Sequence, residues 1–257
     1  MTDIFSENAE LVVRFQGGDN AGHTVAADGE EYALRLLPSG VVRGKTGVLG
    51  NGCVVNFGTL FEELDRLRER GLDPEVYVSS RATVVLPYHR VLDEAEEEAR
   101  EETATAVGTT GNGIGPAYED ATGRRAIRVG ELLDPETLRE RLEHVVPQKR
   151  ALAESVYGIE PGEAFDADAL FEQLRAYGRR LDHDGMVVDT GSFLAAHDGD
   201  VLFESAQGTQ LDLDHGSYPF VTSSNPTAGG AVVGTGVPRR RSRRGRPSAW
   251  SRRTSPG

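Results

Sequence analysis

Three glycine-rich stretches hold the residues best suited to chemistry: residues 17–24 (GGDNAGHT), residues 108–120 (GTTGNGIGPAYED, closely followed by Arg124 and Arg125) and residues 203–216 (FESAQGTQLDLDHG), which runs on to Asn225. Glycine lets backbone N–H groups come close to an anion, and Thr, Asn and Gln add orienting hydrogen bonds without burying charge. Anion recognition is the chemistry this mixture suits, although each stretch alone serves a plain turn equally well. None is a Walker loop, since no G-x-x-x-x-G-K-[ST] occurs, and none is a G-x-G-x-x-G opening a helix. Taken singly, His23 reads as a structural or solvated histidine and Arg124 as a solvated arginine. Asp212, Asp214 and His215 have a D-x-D-H spacing that fits no standard metal site, so they read as loop-structuring hydrogen bonders.

The elements that must hold these loops follow from apolar periodicity. Leu11–Phe15 alternates and is β-rich, and Glu31–Leu37, Gly47–Asn56, Val76–Val78, Ala82–Leu86, Met186–Asp189 and Val201–Glu204 read as further strands. Leu60, Phe61, Leu64 and Leu67 share one face of a helix predicted over Thr59–Gly71, with Thr59 as cap and Glu62 three residues on. Arg90–Glu102 reads as an acidic helix. Asp134-Pro-Glu starts another, expected over Asp134–Val146, and Leu170, Phe171, Leu174 and Tyr177 mark one over Asp168–Leu181. Strands alternating with helices imply an α/β fold around a largely parallel central sheet flanked by helices.

The chain has 257 residues, 28 Lys+Arg and 41 Asp+Glu, a net charge of −13. It is long enough to bury a substantial core. No apolar run approaches the roughly 20 residues of a membrane helix, and the first residues lack the basic and apolar regions of a secretion signal. The single cysteine, Cys53, excludes internal disulfides and Cys-rich zinc sites. A soluble, cytoplasmic protein is expected. Only two of the 28 cations are lysines, and with so many acids this points to a GC-rich genome and a salt-loving host. From Val237 the chain reads VPRRRSRRGRPSAWSRRTSPG, with eight arginines and no acid; setting those aside moves the net charge of the rest from −13 to −21. This Arg-rich tail, 237–257, is expected to be disordered and reads as the product of a reading-frame break; a basic arm for nucleic acid is the alternative.

Taken together, the blocks VVRFQGGDNAGHT, PSGVVRG, IGPAYEDATGRRAIRVGELL and AQGTQLDLDHGSYPFVTSSNPTAGG resemble the adenylosuccinate synthetases, in the family's order and over roughly residues 3–236. The resemblance implies a P-loop-NTPase-like α/β fold with helical insertions, and a partial synthetase domain over residues 1–236. It implies a ligase of purine biosynthesis that joins IMP and L-aspartate, with GTP as cosubstrate and Mg²⁺ as cofactor, in a cytoplasmic homodimer with no nucleic-acid or membrane partner. In the family chemistry, a carboxylate base removes the IMP N1 proton while O6 attacks the γ-phosphate of GTP; the aspartate amine then displaces phosphate.

The same resemblance assigns residues. His23 is implied as the catalytic acid, stabilising charge that develops during phosphoryl transfer. Asn20, Ala21, Gly22 and His23 are implied as IMP contacts, with the Gly22 carbonyl as a hard-oxygen magnesium ligand. Thr110 and Arg124 are implied as IMP phosphate contacts, Arg124 reaching in from the neighbouring subunit, and Gln207 and Thr222 as the remaining IMP positions. There are departures: Asn112 stands where bacterial members carry an arginine near the aspartate site, and Asp19 replaces a common histidine. The family's G-D-E-G-K-G-K phosphate loop, aspartate loop and K-x-D guanine motif are not found. Expected consequences are an unpaired edge at strand 11–15 and a chain that does not turn over GTP by itself; a non-catalytic IMP-binding or dimerising fragment is the alternative function.

Overall fold

The computed structural model describes residues 5–6, 8–27, 29–102 and 108–237. The tail expected after Val237 therefore falls, from 238 on, outside the described residues. A five-stranded, all-parallel sheet forms the centre, in the order β8-β6-β4-β1-β9. These strands are β1 (Leu11–Arg14), β4 (Thr46–Leu49), β6 (Val76–Ser79), β8 (Val187–Val188) and β9 (Val201–Glu204). A hairpin of β2 (His23–Ala27) with β3 (Glu30–Leu34) and a small parallel pair of β5 (Val54–Val55) with β7 (Thr83–Val84) stand beside it.

Every residue of β1 is buried, as a strand inside a parallel sheet requires. It pairs with β4 on one side (Val12↔Gly47) and β9 on the other (Val12↔Leu202). The unpaired edge expected at this strand is therefore absent: the partner comes from the far end of the described chain, beyond the reach of local pattern.

Alternate strand residues feed two cores. Leu49 and Val78 point to the larger one, filled by Phe57, Leu60 and Leu64 of α1 (Phe57–Glu69), Tyr88 and Leu92 of α2 (Pro87–Glu102), Leu138 and Leu142 of α4 (Pro135–Ser155), and Leu170 and Leu174 of α5 (Ala167–His183). Leu11, Val13 and Val48 point the other way, against Leu194 of α6 (Thr190–Ala196). The remaining helices are α3 (Ile114–Thr122) and α7 (Ala228–Thr235).

The expected helices form, with shifted ends. Asn56, not Thr59, caps α1: its side chain accepts from the N–H groups of Gly58 and Thr59, while the Thr59 hydroxyl donates to Asp19. Asp134 caps α4 with Pro135 at its first position, and the helix runs through Pro147 to Ser155. Asp166 caps α5, two residues before the expected start. The stretch 47–56 is two strands in different sheets, because Gly50–Gly52 turns the chain between them. The second glycine-rich stretch is loop only to Gly113; α3 follows. No described helix is long and apolar enough to cross a membrane.

Candidate active site

The strand order reverses at β1: the chain steps away through β4, β6 and β8, then returns to pair β9 on the opposite side. In open parallel sheets a crevice forms at the carboxyl ends of the strands at such a switch point. Here those ends carry Arg14 and Glu204, which face each other in register and line a cavity of about 410 Å³ with Asn20, Ala21, Gly22, His23, Ser39 and Gln207.

The loop after β1 is fixed before it reaches the cavity. The Gln16 side chain donates to the Ser205 hydroxyl (3.1 Å) and the Ala206 carbonyl (2.5 Å), and accepts from Ser224 (3.2 Å). Gly17 has φ +83°, and a Cβ there would stand 2.7 Å from that of Ala206; at Gly18 it would stand 2.5 Å from Ile114 Cδ1. No side chain fits at either position. Buried Asp19 accepts from Asn56 (3.0 Å) and Thr59 (2.7 Å), tying the loop to the start of α1. Asn20, Ala21 and Gly22 are left to form the cavity rim.

His23 opens β2. Its Nδ1 lies 3.0 Å from the Ala21 carbonyl, an acceptor only, so Nδ1 carries the hydrogen and Nε2 is the nitrogen offered to the cavity. Glu204 Oε1 is 4.0 Å from that Nε2. The other Glu204 oxygen accepts from the Ser39 N–H at 3.0 Å and from the Ser39 hydroxyl. His23 Nε2 and Gln207 Oε1, at the cavity, are buried with no hydrogen-bond partner, as is Asp19 Oδ1 in the loop that leads to it. Unpaired polar atoms lining a crevice mark a place where a polar ligand completes the bonding.

A second lobe of about 600 Å³ adjoins the first across Asn20 and Gln207, which line both and are joined by a 3.2 Å hydrogen bond. Thr110, Thr222, Ser223 and the first turn of α3 face it, with the carboxylates of Asp93, Glu96 and Glu119 and the Arg100 guanidinium. Asp93 holds the Thr110 loop by accepting from Thr109 Oγ1 and the Gly113 N–H, both at 2.9 Å. The Thr222 N–H donates to the Leu211 carbonyl (2.8 Å), and next along the chain the buried Asp212 carboxylate accepts from the N–H groups of Asp214, His215 and Thr227 and from the Asn225 amide. Burial alone would raise the Asp212 carboxyl pKa, but these donors hold it far below the usual range. Asp212 thus structures its loop as expected.

Of the residues singled out in the sequence, Asn20, Ala21, Gly22, His23 and Gln207 meet at the first lobe, and Thr110 and Thr222 at the second. Arg124 joins neither; it is exposed at the exit of α3. Arg124 (φ 61°) and Gln207 (φ 59°) are the non-glycine residues with positive φ among the described residues. A side chain held in that uncommon conformation is over-determined by its surroundings, which happens chiefly at working sites. Sequence reading missed Arg14, Glu204 and Ser39. Their signal was present: a charge at the end of an apolar strand, in L-V-V-R and V-L-F-E. Among the described residues no group of three or more His, Cys, Asp or Glu side chains is placed to hold a metal ion. Magnesium favours six oxygens, and the Gly22 carbonyl would be only one of them, so these residues do not build a magnesium site by themselves.

The family model for adenylosuccinate synthetase matches residues 1–245. The chain is 63% identical over 245 residues to the adenylosuccinate synthetase of Natronomonas pharaonis, covering 92% of this chain and 54% of that protein. It is 59% identical, with the same coverage, to that of Haloarcula marismortui. Among solved structures, the fully ligated adenylosuccinate synthetase of Plasmodium falciparum superposes with a TM-score of 0.81 at 32% identity, covering 93% of this chain and 55% of that one. The chain thus spans about half the length of the relatives it matches.

Proposed function

Because the chain belongs to the adenylosuccinate synthetase family, we propose that its two-lobed crevice is the IMP side of a ligase joining IMP to L-aspartate at the expense of GTP. One observation carries this reading: Asn20, Ala21, Gly22, His23 and Gln207 surround a single cavity at the switch point, where buried polar atoms await partners. The first lobe receives the base, with Asn20 and Gln207 offering amide groups to its edge. The second receives the 5′-phosphate, beside the Thr110 and Thr222 hydroxyls and the first turn of α3. As an imidazolium, with its Nδ1–H bonded to the Ala21 carbonyl, His23 presents a second proton on Nε2 to an oxygen that gains charge as the base is phosphorylated.

GTP supplies the phosphoryl group, and magnesium bound to its phosphates would take the Gly22 carbonyl as one of several oxygens. Exposed Arg124 serves the phosphate of a partner subunit in a cytoplasmic homodimer; its place outside its own crevice supports that role. A second reading is IMP binding without turnover, since the residues gathered at the crevice are the expected IMP contacts. Isothermal titration with IMP, beside an absorbance assay for adenylosuccinate with GTP, magnesium and high salt, tests both. Binding with turnover supports the ligase, binding alone supports the second reading, and no binding removes both.

A further inference from the structure

Side chains from two helices, α2 and α4, and from the turn after α3 converge on Asp120, and none of them lines the crevice. Asp120, Tyr88 and His89 are fully buried and Lys149 nearly so. One carboxylate oxygen accepts from the Tyr88 hydroxyl (3.2 Å) and His89 Nε2 (3.0 Å). The other lies 2.5 Å from Lys149 Nζ and 3.2 Å from Arg125 Nε. His89 Nδ1 accepts from the Leu86 N–H at 2.9 Å, so its hydrogen is on Nε2 and the ring is neutral. Replacing a buried ionic cluster with apolar side chains of similar size is often neutral for stability. The carboxylate adds geometry that a leucine could not.

That geometry is at the exit of α3. The Arg125 and Ala126 N–H groups both donate to the Asp120 carbonyl (2.8 and 3.1 Å), closing a turn around Gly123 and Arg124. The Arg125 side chain bonds the carboxylate of the same residue, so backbone and side chain of Asp120 grip the turn together. Arg124 sits inside it with φ 61°. Such a conformation persists only where the surroundings enforce it, and it decides which way the exposed Arg124 side chain leaves the surface.

We propose that Asp120 is a positioning residue for Arg124, its buried contacts with His89, Tyr88 and Lys149 anchoring the turn that aims the Arg124 guanidinium at phosphate. This rests on Arg124 being the IMP phosphate contact. The anchor runs through Arg125: a guanidinium lifted from Asp120 leaves the turn gripped by backbone alone.

The test is titration of the 257-residue chain with IMP and with inosine, which lacks the phosphate. The wild type should bind IMP more tightly than inosine, and Arg124→Leu should remove the difference. Asp120→Asn should weaken IMP about tenfold and leave inosine unchanged, the signature of a misaimed group. A second variant leaves the buried cluster intact. Gly123 has φ −73°, which suits alanine, and its Cβ would fall 2.6 Å from Arg125 Cζ, displacing that guanidinium from Asp120. Gly123→Ala should therefore lose IMP affinity selectively while melting like the wild type. Full IMP affinity in Gly123→Ala and Asp120→Asn, with Arg124→Leu impaired, would overturn the positioning role and leave the phosphate role standing. Equal loss of IMP and inosine would reduce Asp120 to a structural residue. An unchanged IMP preference in Arg124→Leu would overturn the reading on which the proposal stands.

Discussion

Arg14 and Glu204 occupy matching positions at the carboxyl ends of two adjacent parallel strands, both buried, both facing the same cavity. The Arg14 guanidinium donates to the carbonyls of Arg35 and Leu36 at 2.7 and 2.9 Å, while Glu204 takes the donors of Ser39. Opposite charges with filled hydrogen bonds are what allows either to stay out of water. Glu204→Leu should cost about 2–4 kcal/mol, because it strands a buried cation and the Ser39 N–H together. Glu204→Gln should cost less. Urea midpoints measure both, and a Leu variant as stable as the wild type would show that the two charges are independent.

In an enzyme that carries out the proposed reaction through this crevice, His23→Ala should lower kcat by about 100-fold with little change in IMP affinity, as expected for a donor acting on the transition state. Steady-state kinetics decides it: a raised KM at normal kcat would make His23 a binding residue.

Arg124→Leu should raise the KM for IMP in that enzyme, and subunits carrying it, mixed with His23→Ala subunits, should regain activity. A site assembled from two chains can be rebuilt from two differently damaged ones. If mixtures stay inactive at every ratio, Arg124 acts within its own subunit.

Acid should unfold the chain in two stages. Burial lowers the His89 pKa, so as the pH falls below about 6.5 the unfolded chain takes up that proton first and stability begins to drop. Burial would raise the Asp120 carboxyl, but the bonds from His89 and Lys149 outweigh it and bring it down to about 2. Its contribution is complete above the unfolded pKa of about 3.9 and disappears as the pH falls toward the folded one. Asp120→Asn should flatten the steep limb below pH about 4 in a melting-temperature profile. An unchanged slope there would mean that other carboxylates, Asp212 first, dominate acid unfolding.

How much of this was legible depended on the distance over which each feature is determined. The caps at Asp134 and the apolar stripe of α1 are local, and the sequence displays them directly. The hairpin strand β2 was hidden because His23 and Thr24 end a polar loop, although Val25 and Ala27 are buried and Thr24 and Ala26 exposed in strict alternation. Helix α3 was hidden because its first turn, Ile-Gly-Pro, has the composition of a turn. Motif resemblance identified Asn20 through His23 and Gln207 as one site. Arg14, Ser39 and Glu204 escaped it, since their convergence depends on β1 lying beside β9, a contact that no local pattern encodes.

That contact also governs when the molecule can become itself. Strand β1 is made well before its β9 neighbour, which lies 190 residues later, as Val12 and Leu202 show. A nascent chain emerging from the ribosome must keep one flank of β1 vacant until nearly all described residues have been made. Pairings so far apart in sequence fold slowly and leave apolar strand edges open to strangers meanwhile. A net charge of −13 makes copies of the chain repel one another, which counters that association.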